Sequence, residues 1–196
     1  MKCLFEWRRI LLKDIDIRMP LINELMKINA AHSHRIIEEM AVCDGDARVD
    51  IAVANGKLCG YEIKSNADTL ERLPLQQSCY DKTFDTVSIV VGEKYEKIIK
   101  DYVPDYWGIL VIKERNDDLK LVKRRRAKIN KNVDGNALLE LLWREEILLL
   151  LKTKKIRGLS GKNKRVLRQI AMQNFKLKEI KNYTRETLKS RENWRA

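Results

Sequence analysis

Two carboxylates and a lysine lie inside two segments that otherwise have the composition of buried strands. The first segment, RVDIAVA, contains Asp50, and the second, KLCGYEIKS, contains Glu62 and Lys64. Mg²⁺ and Mn²⁺ are typically held by one or two carboxylates together with water and phosphate oxygens. A lysine beside such an ion can orient a water molecule or stabilise charge developing on a phosphoryl group. These residue types therefore suit metal-dependent hydrolysis of a phosphodiester bond.

The register of the two strands decides whether these three side chains meet. Asn55-Gly56 between the segments is a strong hairpin signal, and side chains alternate between faces along a strand. Most of the apolar residues carry odd numbers: Val49, Ile51, Val53, Tyr61 and Ile63. An odd-length loop or a bulge would keep residues of equal parity opposite one another. We predict this register, with the charged residues on one face and Ala52 and Gly60 leaving room for a phosphodiester backbone.

The alternative is that these charges lie at the surface. Asp50 and Glu62 would then pair with Arg48 and Lys64, and exposed pairs of this kind contribute only about 0–1 kcal/mol. The spacing of the residues does not decide between the two interpretations.

The remaining pattern predicts an α/β protein with a mixed central sheet. Apolar periodicity and turn residues predict helices at Leu4–Leu12, Pro20–Ala30 (with proline first), Ser33–Met40, Pro74–Thr83 and Glu93–Tyr102. Besides the hairpin, strands are predicted at 86–91, at 107–114 and in LKLVKR. After Asn132 the pattern is helical, with breaks near 157–162 and Phe175. We expect a core at residues 1–131 and a basic helical region at 132–196 packed on it.

Composition indicates a globular protein that is intracellular, and cytoplasmic in particular. The chain has 196 residues, of which 44% are hydrophobic, and it has neither a signal-peptide pattern nor an apolar run of about 18 residues. We therefore expect no membrane association. The four cysteines form no C-x-x-C pair and are expected to be reduced thiols, with no iron–sulfur cluster.

The net charge of +12 is concentrated in two segments. Residues 152–196 contain fifteen Lys/Arg against three acidic residues, and residues 120–131 contain seven basic residues and no acidic one. This segregation suits a polyanion held by basic arms around an acidic site, with DNA as the expected partner. Solvated basic faces that only maintain solubility are the alternative. In the tail, a bundle that closes the core is favoured over a helix-turn-helix, because residues 137–151 are strongly apolar.

The spacing of Asp50 from Glu62-Ile63-Lys64 resembles the D…(D/E)-x-K core of the PD-(D/E)XK nuclease superfamily. About three quarters of the chain also resembles an uncharacterised bacterial and phage family of that superfamily. The matching positions include DTLERLP at 68–74, Gln76, Tyr80, Phe84-Asp85, Val90-Val91, Pro104, Trp107-Gly108, LWR at 142–144, KSR at 189–191 and WR at 194–195.

The resemblance implies a role for each matching residue. Asp50 and Glu62 would bind Mg²⁺ or Mn²⁺, and Lys64 would assist the attacking water. In this superfamily a glutamate on the helix before the first core strand often completes the site. On a helical wheel of SHRIIEEM, Glu39 lies about 100° and Glu38 about 150° from the apolar centre, so Glu39 is preferred and Glu38 stays open.

Gln76 and Tyr80 have the Q-x-x-x-Y spacing of RecB-type nucleases. One helical turn places both on the same face, where they would hold the catalytic carboxylates or a DNA phosphate. The alternative is a half-buried helix on which Gln76 is merely polar. Arg72 either contacts phosphate or caps a carboxylate. The other expected DNA-binding residues are Lys123, Arg124, Arg125, Arg126 and Lys128.

Together these features predict a restriction-endonuclease-like core that carries a divalent-metal-dependent deoxyribonuclease. DNA repair, mobile-element maintenance and defence are the contexts considered, and a protein partner or a homo-oligomer is compatible with the sequence. A catalytically silent nucleic-acid-binding module on the same fold is the alternative function.

Overall fold

The computed structural model describes residues 12–115, 118–192 and 194. The strands are β1 (Arg35–Val42), β2 (Ala47–Ala54), β3 (Leu58–Lys64), β4 (Thr86–Val91), β5 (Gly108–Arg115) and β6 (Asp118–Arg125). The helices are α1 (Asp14–Asn29), α2 (Leu73–Thr83), α3 (Gly135–Glu140), α4 (Arg144–Thr153), α5 (Lys164–Asn174) and α6 (Leu177–Ser190). The helix predicted at Leu4–Leu12 lies outside the described residues except for Leu12. No helix in the described part of the chain has the length and hydropathy needed to cross a bilayer.

One mixed sheet contains all six strands in sequence order. Strands β1, β2 and β3 form an antiparallel meander, β3, β4 and β5 are parallel, and β6 returns antiparallel to β5. The predicted α/β class and mixed sheet are therefore confirmed, and so are the predicted strands from 48 onward and the helix of α2. A parallel pair needs a crossover connection, and α2 provides the one between β3 and β4.

The predicted register of the hairpin is confirmed. Ile51 pairs with Tyr61 and Ala54 with Leu58, so a three-residue loop joins β2 to β3. Within this loop the Asn55 side chain accepts a hydrogen bond from the Lys57 backbone N–H at 2.8 Å. An odd loop keeps even-numbered residues opposite even-numbered residues, which is the arrangement that the parity of the sequence required.

The helix predicted at Ser33–Met40 is wrong, because this segment forms the edge strand β1. Ile37 and Met40 lie in the same hydrophobic cluster although they are three residues apart, which imitates helical spacing. The cause is Glu39, whose φ of 52° puts it in the left-handed region and shifts the alternation of side chains by one position. Its neighbours pair across to Ile51 and Val49, so the distortion lies opposite Asp50.

The same distortion changes which side chains of β2 lie on the same face of the sheet. Ile51 and Val53 pack beneath α1, whereas Val49, which has the same parity, belongs to the cluster on the other face of the sheet. The prediction of one continuous apolar face from Val49 onward is therefore wrong at its first residue. Asp50 occupies the position at which the strand changes phase.

Helix α1 begins at Asp14, six residues before the predicted proline start, so Pro20 lies inside the helix. The Asp16 carboxylate accepts a hydrogen bond from the Lys13 backbone N–H at 2.8 Å, which favours the earlier start. The second incorrect helix is Glu93–Tyr102, which forms two 3₁₀ turns at Glu93–Tyr95 and Ile99–Asp101. Short connectors commonly adopt this tighter geometry.

Two hydrophobic clusters cover the faces of the sheet. Helix α1 covers the smaller cluster through Ile17, Leu21 and Leu25. The larger cluster lies under α2 and extends without interruption into α3–α6, so the C-terminal helices pack on the core. Arg191 secures the end of this bundle, because its guanidinium lies 4.3 Å from the centre of the Trp143 ring and binds Glu146 at 2.6 Å.

The expected open space beside Ala52 and Gly60 is filled by Phe84. Both small residues are buried, and a Cβ atom placed on Gly60 would lie 2.8 Å from Cδ2 of the Phe84 ring. The small residues thus admit an aromatic side chain of the core, and the prediction that a phosphodiester backbone approaches there is wrong.

Gly60→Ala is therefore expected to lower the free energy of unfolding by about 1–3 kcal/mol, because the Phe84 ring must move within a packed core. Urea denaturation followed by circular dichroism measures this change. Gly56→Ala is the matched control, because no atom lies within 4 Å of a Cβ at that position. Equal stability of the two variants would contradict this account of the packing.

Candidate functional site

Glu62 is a buried carboxylate, with only 2% of the residue exposed. Its Oε1 accepts hydrogen bonds from Lys64 Nζ at 2.7 Å and from Gln76 Nε2 at 2.6 Å, and its Oε2 lies 2.6 Å from the Tyr80 hydroxyl. A buried charge is tolerated only when it is paired and hydrogen-bonded. The interpretation of Glu62 as an exposed surface charge is therefore wrong.

Helix α2 places the two residues of the Q-x-x-x-Y pattern on the carboxylate. Gln76 and Tyr80 lie one turn apart and are both buried against β3. The alternative in which Gln76 is merely polar is wrong, because its amide nitrogen binds Glu62. The amide oxygen Oε1 of Gln76 is buried and has no hydrogen-bond partner among the described residues.

The connection between β3 and α2 is fixed by Asp68. Its carboxylate accepts hydrogen bonds from both the backbone N–H and the hydroxyl of Ser65, at 2.7 and 2.6 Å. The Tyr95 hydroxyl donates to the Asp68 backbone carbonyl. These contacts set the point at which α2 begins and hence the position of Gln76 over the strand.

Lys64 adjoins Glu62 on the same face of β3, because the two residues are separated by one position. The Lys64 side chain is 10% exposed, and Glu62 is its only hydrogen-bond partner within the described part of the chain. An ammonium group carries three N–H donors. Lys64 therefore keeps donors for a water molecule or a phosphate oxygen.

Asp50 completes the trio that the sequence predicted. Its side chain is 19% exposed, and its Oδ2 accepts a hydrogen bond from the Ile63 backbone N–H at 2.6 Å. Burial and, next, the negative charge of Glu62 raise the pKa of Asp50 to about 7, against the lowering effect of the Ile63 N–H and Arg18. The structure thus brings Asp50, Glu62, Lys64, Gln76 and Tyr80 together.

Arg18 on α1 is a residue of this site that the sequence analysis did not identify. Its NH2 group lies 2.6 Å from Glu39 Oε1 and 3.4 Å from Asp50 Oδ1, and its NH1 group donates to the Asp50 backbone carbonyl at 3.1 Å. The available signal was the position of Arg18 next to the Ile17, Leu21 and Leu25 stripe. That signal depends on starting the helix at Asp14.

Glu39 lies beside Asp50, but it was chosen by assuming that residues 33–40 form a helix, and residues 35–42 form a strand instead. Glu38 and Glu39 lie on a strand, with their side chains about half exposed, and both contact Arg18, at 3.6 and 2.6 Å. Among residues 12–115, 118–192 and 194, no three Asp, Glu, His or Cys side chains are arranged to hold a metal ion. The choice of Glu39 as a third ligand stays a prediction.

The donor set is nevertheless of the type that Mg²⁺ or Mn²⁺ requires. Asp50 binds the backbone N–H of Ile63, the residue next to Glu62, and after burial the charge of Glu62 contributes most to raising the pKa of Asp50. Gln76 Oε1, which has no hydrogen-bond partner within the described part of the chain, is a neutral oxygen at the same place. Hard divalent cations bind such oxygens, and a positive charge there would relieve the repulsion between the carboxylates.

The predicted DNA-binding residues on and after β6 lie away from these carboxylates, whereas Arg72 stands at the start of α2, one turn before Gln76. Arg124 forms an exposed ion pair with Glu96 at 2.7 Å, whereas Arg125 donates to the Trp107 and Pro104 carbonyls and so stabilises the fold. The remaining four are exposed: Arg72, Lys123, Arg126 and Lys128. Strand β6 lies three strands from β3, a separation of about 14 Å.

Asp50→Asn is expected to stabilise the protein in EDTA at about pH 8 by roughly 1–4 kcal/mol. The folded-state pKa of Asp50 is raised to about 7 from a usual value of 3.8, so stability falls as the pH rises between these values. Near pH 4 the advantage of the variant should be small. Denaturant titrations across this range measure the effect, and the exposed Asp101→Asn is the control. If the free energy of unfolding of Asp50→Asn and of the wild type changed with pH in parallel, the prediction would be wrong.

Comparison with known proteins relates this chain to a phage family. The family model described as bacteriophage P4 protein cII matches residues 9–195. Protein cII of Enterobacteria phage P4 is 26% identical over 181 residues, which cover 92% of this chain and 68% of that protein. No solved structure matches the chain. The expected phage relationship is confirmed, and the chain belongs to the bacteriophage P4 protein cII family.

Proposed function

We propose that the protein is a divalent-metal-dependent nuclease that hydrolyses phosphodiester bonds in DNA, on a restriction-endonuclease-like core of the PD-(D/E)XK superfamily. The observation that carries the proposal is a pair of contacts: Asp50 accepts a hydrogen bond from the backbone N–H of Ile63, between Glu62 and Lys64, and the Lys64 ammonium group is bonded to Glu62. A sheet that only served as a scaffold would gain no stability from two repelling carboxylates. Such an arrangement is typical of functional sites.

Each residue of the site has a role in this proposal. Asp50 and Glu62 would hold Mg²⁺ or Mn²⁺, and the bound ion would polarise the phosphoryl group and lower the pKa of a water molecule. Lys64 directs its remaining N–H donors at the attacking water or at the charge on the phosphate. Gln76 and Tyr80 fix the orientation of Glu62, and Tyr80 stays a donor because burial, followed by the charge of Glu62, raises its pKa.

A cleft lies next to the candidate site at Glu39 and Arg48, although Asp50, Glu62 and Lys64 do not line it. The cleft has a volume of about 780 Å³ and runs along the edge of β1, from Glu39 and Arg48 to Lys164 at the start of α5. On the strand side Arg35 and Arg48 line the cleft together with Glu38 and Glu39, so its charge is mixed. The basic side chains would attract a phosphate backbone independently of base sequence.

The second candidate is a catalytically silent nucleic-acid-binding module. The observation in its favour is that both carboxylates already have basic partners, Glu62 with Lys64 at 2.7 Å and Asp50 with Arg18 at 3.4 Å. In such a module these ion pairs would be purely structural, and the basic C-terminal region alone would bind the nucleic acid.

The test is cleavage of labelled single-stranded, duplex and branched DNA, and of RNA, with Mg²⁺, Mn²⁺ or EDTA. Metal-dependent cleavage is expected for the wild type. Asp50→Asn and Lys64→Met should each reduce the rate at least about 100-fold while leaving the affinity for DNA nearly unchanged. Because Lys64 is buried and paired, circular dichroism must first show that its variant is folded.

Exposed residues supply matched controls for these variants. Asp101→Asn and Lys100→Met make the same chemical changes at exposed positions and should retain full activity. Binding of DNA by the wild type without cleavage under any condition would favour the silent module. If a folded Lys64→Met lost DNA binding and cleavage to the same extent, Lys64 would have a role in binding DNA and not in the cleavage step.

A further inference from the structure

Arg18 is a buried guanidinium surrounded by carboxylates. Its Nε donates to Asp14 at 2.7 Å, its NH2 group to Glu39 at 2.6 Å, and its NH1 group lies 3.6 Å from Glu38. Its side chain is 10% exposed. Burial lowers the pKa of this arginine, but the surrounding carboxylates, Asp14 first, outweigh burial and raise it.

The two ends of the guanidinium have different partners. Nε is held by Asp14, which lies one turn earlier on the same helix, so this pair can persist whatever happens at the sheet. The distal NH1 and NH2 groups reach Asp50 and Glu39, on strands β2 and β1. The NH2 group thus contacts the carboxylates of Glu39 and Asp50, whereas NH1 donates to the Asp50 backbone carbonyl.

We propose that Arg18 is a positioning residue that acts as the internal cation of the site, neutralising Asp50 and Glu39 until a divalent cation takes over these carboxylates. Its relevance to catalysis rests on the proposed nuclease function. An arginine does not lose its proton in proteins, so Arg18 must be displaced to make room for the cation. The distal end moves away while Asp14 retains the proximal end.

This exchange makes the affinity for divalent cations a competition between two positive charges. The metal-free site is held together by Arg18, which prevents mutual repulsion of Asp50, Glu39 and the nearby Glu62. Removing the guanidinium should therefore destabilise the metal-free protein and at the same time improve the binding of a divalent cation. A salt bridge with a purely structural role would produce the first effect without the second.

The experiment compares Arg18→Met with the wild type by isothermal titration with Mn²⁺ and Ca²⁺ and by thermal unfolding in EDTA. The variant should unfold at a lower temperature in EDTA, bind the cations at least about tenfold more tightly, and regain stability when they are added. Arg18→Lys should bind them more weakly than Arg18→Met because it keeps a positive charge. Neither readout requires enzymatic activity.

Arg48→Met is the matched control. Arg48 is the other arginine near Glu39, at 3.9 Å, but its side chain is 66% exposed. An exposed pair of this kind contributes little, so stability in EDTA and cation affinity should stay at the values of the wild type. If Arg48→Met gained cation affinity as Arg18→Met does, the special role of Arg18 would be wrong.

A refolding experiment tests the proposal if Arg18→Met does not fold in EDTA. The variant should then refold from denaturant when excess Ca²⁺ is present, and failure to do so would overturn the proposal. A folded Arg18→Met with unchanged cation affinity would also overturn it, even if the wild type cleaves DNA. Conversely, improved cation binding by the variant, together with a wild type that cleaves nothing, would reject the nuclease and retain the role of Arg18.

Discussion

The burial of the Glu62 carboxylate is the constraint on which the site depends. A carboxylate removed from water loses several kcal/mol of solvation, which only nearby donors can offset. Here the donors come from two elements, Lys64 on the same strand and Gln76 and Tyr80 on α2. The charge therefore fixes the position of the helix over the sheet. Tyr80 also connects Glu62 to the hydrophobic core, because its ring stacks on Trp107 with centroids 6.1 Å apart.

Asp50 creates an opposing requirement. Burial and then the charge of Glu62 disfavour its ionised form and raise its pKa, and the Ile63 backbone N–H and then Arg18 partly offset this effect. The left-handed conformation of Glu39, opposite Asp50, is a further local cost. Repulsion between carboxylates at one point of a well-packed sheet is what a bound cation would relieve, and it is the physical basis of both proposals made above.

The parts of the fold that the sequence predicted are those governed by local rules. Alternation and β-branched residues placed the strands from β2 to β6, and parity alone selected the odd-length loop at Asn55. The spacing of Gln76 and Tyr80 placed both side chains on the face of α2 that contacts Glu62. These features depend on near neighbours in the chain or on the periodicity of a single element.

The parts that failed depend on contacts between distant segments. Nothing in SHRIIEEM indicates that Glu39 adopts a positive φ, so the three-residue spacing of Ile37 and Met40 was mistaken for a helix. Starting α1 at Pro20 removed Arg18 from the helix, and with it the cation that reaches Asp50. The space beside Gly60 was misjudged because Phe84, which fills it, lies 24 positions further along the chain.

Helix α2 links the chemistry of the site to the basic C-terminal region. Its first half carries Gln76, whereas its last turn is bound by the next part of the chain: Asn130 donates to the Asp81 carbonyl, and the Asp134 N–H donates to the Lys82 carbonyl. The helices that follow share the hydrophobic cluster of Tyr80. These contacts position the basic helices relative to Glu62, so a polyanion bound by them would meet the carboxylates in a defined orientation.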